Sequence, residues 1–162
     1  MDTLMQSIVY AAHAYRERLC RTDSMEPFIN HALNIVNFLI HRGGVENITW
    51  LAASLLSHIE SHQFCNDEIR ATLGTEVENL AFRVVVATKL KNYSLLGNDA
   101  KTVLLAECAF NMMCLRTMRL DKKTMTKYLE DAEDAVAQIG NVNDTLWTHY
   151  HDAVKMHKIK LD

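Results

Sequence analysis

The 162 residues amount to roughly one domain. With 49% hydrophobic and 23% charged residues, the chain has the material for one core, which excludes a disordered class. One proline, five glycines and 7% aromatic residues exclude collagen and favour long helices over a sandwich or barrel.

Seventeen basic against twenty acidic residues give a net charge of −3, which argues against a nucleic-acid partner. No apolar run approaches the ~20 residues of a membrane span, and no basic-then-apolar leader opens the chain. A cytoplasmic protein with no membrane contact is therefore expected. The four cysteines (Cys20, Cys65, Cys108, Cys114) show no CxxC spacing, so they are expected to be reduced, mostly buried thiols and not a disulfide framework.

In chain order, Asp2 is placed to cap a first helix, with Leu4, Met5, Ile8, Val9, Ala12, Tyr15 and Leu19 on one stripe. Residues 20–26 form a polar turn. Pro27 suits the first turn of a second helix, which Gly43-Gly44 ends. Asn47 or Thr49 opens a third, TWLAASLLSHIESH, apolar nearly all round at its start and so expected at the centre of the fold.

Asn66 is expected to cap a short helix, DEIRATL, ending at Gly74. Thr75 with Glu78 matches a capping box for the next helix, through Val84-Val85-Val86. That β-branched run also suits a strand, but a strand there has no evident partner. Asp99 is expected to cap AKTVLLAECAFNMMCL; Asp121 opens a helix that ends at Gly140, and Asn143 opens the last. The expectation is an all-α fold: one compact bundle of about seven to eight helices over residues 1–162.

Chemistry concentrates at a few positions. His31 sits mid-helix, and His58 and His62 are four apart on the third predicted helix, a spacing that lets two imidazoles share one ion. Glu107 lies inside an apolar helix, where a carboxylate must be paired, protonated or bound to something. Together His31, His58, His62 and Glu107 make a four-ligand site, or else ordinary satisfied polar residues. His13, His41, His149, His151 and His157 read as surface residues.

The segment EPFINHALNIVNFLIHRGGVENITWLAASLL resembles the hydrolase (HD) domain of the RelA/SpoT alarmone proteins and their small single-domain relatives. The resemblance covers roughly residues 8–139 and is most specific in the first seventy. It implies an all-helical HD-type fold and a metal, typically manganese, used to remove pyrophosphate from the 3′ position of ppGpp. His31 matches the family's first metal histidine. Ser57 falls on the histidine of the HD pair and His58 on its aspartate. Ser61 and His62 fall on the acids that activate water, and Glu107 on the last metal aspartate. Asn111 and Tyr128 match nucleotide-facing positions, and Arg21 stays near the substrate. Asn111 and Tyr128 read equally well as a helix hydrogen bond and a packed aromatic.

Further departures follow the same trend. The family's Thr-Asp-Asp-Lys falls on Val85-Val86-Ala87-Thr88, a lysine on Leu104 and an arginine on Thr124, and the loop after Leu90 is shorter. Ser57, His58, Ser61 and His62 are thus degenerate catalytic positions, and His31, His58 and Glu107 a vestigial metal set. Loss of a general base alone costs about 10²–10⁴-fold. The expected function is a pseudo-hydrolase without a cofactor, binding a protein partner or a guanine nucleotide. The alternative is an active phosphohydrolase with a rebuilt His₃Glu metal site.

Overall fold

The computed structural model describes residues 2–20, 25–60, 64–118 and 120–161, without the side chains of 116 and 158–161. Among these, eight α-helices follow one another: α1 (Thr3–Ala14), α2 (Phe28–His41), α3 (Ile48–Leu56), α4 (Asn66–Leu73), α5 (Thr75–Leu90), α6 (Asn98–Cys114), α7 (Lys122–Ile139) and α8 (Asp144–Leu161). A 3₁₀ turn over Leu115–Thr117 follows α6.

α6 packs against α2, α3, α5, α7 and α8, while α3 packs against α1, α2, α5 and α6. The two apolar helices therefore share the centre. Leu51 to Leu56 of α3, and Val103, Leu105, Ala106 and Ala109 of α6, are buried in one core cluster. Ala52, Ala53, Ala106 and Ala109 let the helix axes come close. The Val84–Val86 run is helical, since α5 buries Val84 and Val85 against that core.

Several boundaries differ from the sequence reading. α1 stops at Ala14, not near Leu19; Tyr15 caps it and buries its ring, while Leu19 pairs in a short bridge with Pro27 and stays half-exposed. Met5 and Val9 lie on the outer face of α1, whose inner face is built on Ser7, Ala11 and Tyr15. Pro27 is the residue before α2, not within its first turn.

Cys65, not Asn66, precedes α4, and Gly97, not Asp99, precedes α6. Asp99 instead pairs with Arg83. The expected Thr75–Glu78 box does not form, because Glu78 is buried and turned toward Arg70, 3.5 Å away. Asp2, Asn47, Asp121 and Asn143 each accept a backbone N–H at the start of α1, α3, α7 and α8.

His157 corrects its surface assignment. It is 4% exposed, with Nε2 2.8 Å from the Met112 carbonyl, which ties α8 to α6. None of the four free thiols is fully buried: Cys65 is exposed and the other three are half-buried. No helix among the described residues is long and apolar enough to cross a membrane.

Candidate functional site

α3 ends at Leu56, earlier than its apolar pattern suggests, and His58 lies in the turn beyond it. His58 has thus left the helix, and Ser61, His62 and Arg21 lie outside the described residues. The stop has local causes. The Ser57 hydroxyl and amide both turn onto the Ser54 carbonyl, at 2.9 and 3.4 Å. Arg18 then donates to the His58 carbonyl at 2.8 Å, where a helix C-terminus favours a cation. The same guanidinium stacks 3.7 Å above the Phe28 ring.

His31 stands on α2 with its ring 5.8 Å from that of His58 and 5.5 Å from Phe110. Burial and then the neighbouring His58 push its pKa down to about 4, while Glu107 and a hydrogen bond with Asn111 oppose the shift. The ring is neutral at pH 7. Glu107 reaches in from α6, 15% exposed, with Oε1 3.0 Å from His58 Nε2. Burial alone raises the Glu107 pKa, but the contact with His58, and then His31 and Arg18, outweigh it and leave the group below the ordinary range. Glu107 is a carboxylate.

Ser57 Oγ donates to the Ser54 carbonyl and also lies 2.9 Å from His58 Nδ1. His58 Nε2 faces the Glu107 carboxylate, so both nitrogens of the ring are occupied.

The manganese that the resemblance implies finds no fit in this donor set. A metal needs a free imidazole nitrogen, and both of those of His58 are taken by Ser57 and Glu107. No group of three His, Cys, Asp or Glu side chains among the described residues stands ready to hold an ion. The row Ser57–His58–Glu107 also has the distances of a serine–histidine–acid relay. However, Ser57 is 7% exposed and its proton is committed to Ser54, so it is no nucleophile.

Asn111, one turn beyond Glu107 on α6, is half-buried and bonded with His31. Tyr128 comes from α7; burial and then Glu107 raise its pKa. The same wall holds Cys108, pushed up to about 12 by burial and then by Glu107. His31, His58, Glu107, Asn111 and Tyr128 thus meet at one place, though four helices and a turn separate them in the chain.

On the other side of Arg18 and His58 opens a groove of about 820 Å³, walled by Tyr10 and His13 of α1 and Glu68 of α4. Arg18 stands off the apolar stripe of the first helix in sequence. Its partners lie ten and forty residues away, and no local pattern encodes them. Val85 and Leu104, at positions where the family carries charge, are buried core residues. After Leu90 the short loop is drawn toward α7, where Lys91 meets Asp131 at 2.9 Å and Gln138 accepts from the Tyr93 amide.

The fold is that of an all-α HD-type domain. In structure the chain matches a protein described as a metazoan ortholog of SpoT that hydrolyzes ppGpp and plays a role in starvation responses. The TM-score is 0.87 at 18% identity, covering 97% of this chain and 96% of that one.

In sequence it is similar to the guanosine-3′,5′-bis(diphosphate) 3′-pyrophosphohydrolase MESH1 of three animals. Identity is 29% over 82 residues in Mus musculus (50% of this chain, 46% of that protein). In Xenopus tropicalis it is 23% over 157 residues (88% of each). In Homo sapiens it is 28% over 82 residues (50% and 46%). The match thus spans about half the length of the mouse and human proteins. No model of a protein family matches the chain. In both sequence and fold the chain is thus similar to HD-type ppGpp hydrolases, as the resemblance implied.

Proposed function

We propose that this chain is a pseudo-hydrolase: an HD-type domain that keeps the fold of ppGpp hydrolases and serves as a binding or regulatory module without turnover. One observation carries the reading. His58 and Glu107, at positions the family gives to metal ligands, satisfy each other at 3.0 Å. A metal phosphohydrolase needs open ligand positions, a group that activates water and cations for the phosphates. Here His58 Nε2 is taken up by Glu107, and Arg18 is turned back onto the His58 carbonyl.

The module binds a protein partner, in preference to a guanine nucleotide, because buried Val85 and Leu104 leave the pocket short of phosphate-binding cations. Supporting the nucleotide alternative is the meeting of Asn111 with His31 beside Tyr128. The test is incubation of the purified protein with ppGpp and excess manganese, following GDP by chromatography beside an active hydrolase. No GDP above background is expected. Release at a rate comparable to the active enzyme overturns the reading. Calorimetric titration with ppGpp and GDP then decides between ligands, with no heat expected for a module that binds protein.

A further inference from the structure

We infer that the His58–Glu107 pair is a built-in clamp that joins the end of α3 to α6 in place of an ion, so that this chain holds the wall of its site together and excludes divalent cations. Four contacts immobilise His58. Ser57 Oγ meets Nδ1 at 2.9 Å, and Glu107 Oε1 accepts from Nε2 at 3.0 Å. Arg18 holds the His58 carbonyl at 2.8 Å, and Phe28 lies edge-on to its ring at 5.2 Å. The side chains of His58 and Glu107 are only 12% and 15% exposed.

A cation entering here must first part His58 Nε2 from Glu107, so binding works against a contact already made in a largely dry setting. Serine at position 57 is part of the device. It is small enough to fold back on Ser54 and still meet the neighbouring imidazole. A clamp of this kind needs no cofactor supply and keeps α3, α6 and α2 in register around His31.

The test is thermal unfolding of the intact chain with EDTA, manganese or zinc at about 1 mM. An ion at ~100 times its Kd raises Tm by about 5–10 °C in a chain of this size. Here the shift is expected to stay within about 1 °C. Variant E107Q leaves His58 without its carboxylate partner and lowers Tm by about 6–20 °C. In H58Q/E107Q the loss is smaller than the two single losses combined, because the pair is coupled.

A metal-induced rise that H58Q abolishes overturns the clamp, and so do strictly additive losses. If E107Q does not fold, the wild-type metal series decides alone. A bound ion without ppGpp turnover removes the clamp and leaves the binding module standing. Turnover without a bound ion removes the module and leaves the clamp.

Discussion

His31 makes acid destabilise this protein in a window that its own pKa defines. In the unfolded chain an imidazole titrates near 6.5; in the fold, burial and the adjacent His58 hold it at about 4. Between those values the unfolded state carries one more proton than the folded state, so stability falls as pH falls. At ~1.4 kcal/mol per unit, a displacement of about 2.5 units sets a ceiling of about 3.5 kcal/mol. Part of the ring is open to water, so screening reduces this to about 2 kcal/mol.

The assay is urea unfolding of the wild type and of His31→Gln at half-unit steps from pH 7.5 to 4.5. The variant lacks this titration, so the gap between the curves moves in its favour by about 2 kcal/mol across the window. Other histidines are common to both proteins and cancel. Glu107 acts lower: its depressed pKa gives stability present above the ordinary glutamate range and lost as pH falls through its folded value. Parallel wild-type and variant curves from pH 6.5 to 4.5 refute the reasoning.

Other positions give sharper local tests. Asn143 caps α8 by accepting from the Leu146 amide at 3.0 Å and also donates to the Gly43 carbonyl at 2.8 Å. Asn143→Ala is expected to cost about 1–2 kcal/mol in urea melts. A Cβ at Gly43 would stand 2.7 Å from the Leu39 carbonyl oxygen, which is backbone, so Gly43→Ala is expected to cost about 1–3 kcal/mol by calorimetry. The Tyr150 hydroxyl is buried without a partner among the described residues. Tyr150→Phe is therefore expected to leave stability unchanged or raise it by up to about 1 kcal/mol, and a loss beyond 1 kcal/mol would reveal a bond.

By itself the sequence determined the fold class. Period-3.6 apolar stripes, one proline and capping residues such as Asp2, Asn47, Asp121 and Asn143 act within a turn or two, and the helices form where those signals stand. It also carried the family likeness and the polar residues that meet at the site. Caps at Asn66, Thr75 and Asp99 misled because Glu78 and Asp99 had better partners in Arg70 and Arg83, which only packing supplies.

The tertiary structure alone decided where α3 ends and what His58 does. Spacing put His58 and His62 on one helical face, yet the turn at Ser57 and the reach of Arg18 across forty residues took His58 off the helix. His157 likewise reads as a surface residue until α8 lies against α6 and the Met112 carbonyl faces it. A side chain's charge and partners depend on groups far away in the chain, and sequence periodicity carries no record of them. The 3.0 Å between His58 Nε2 and Glu107 Oε1 is likewise a product of packing, which sets the end of α3 against α6.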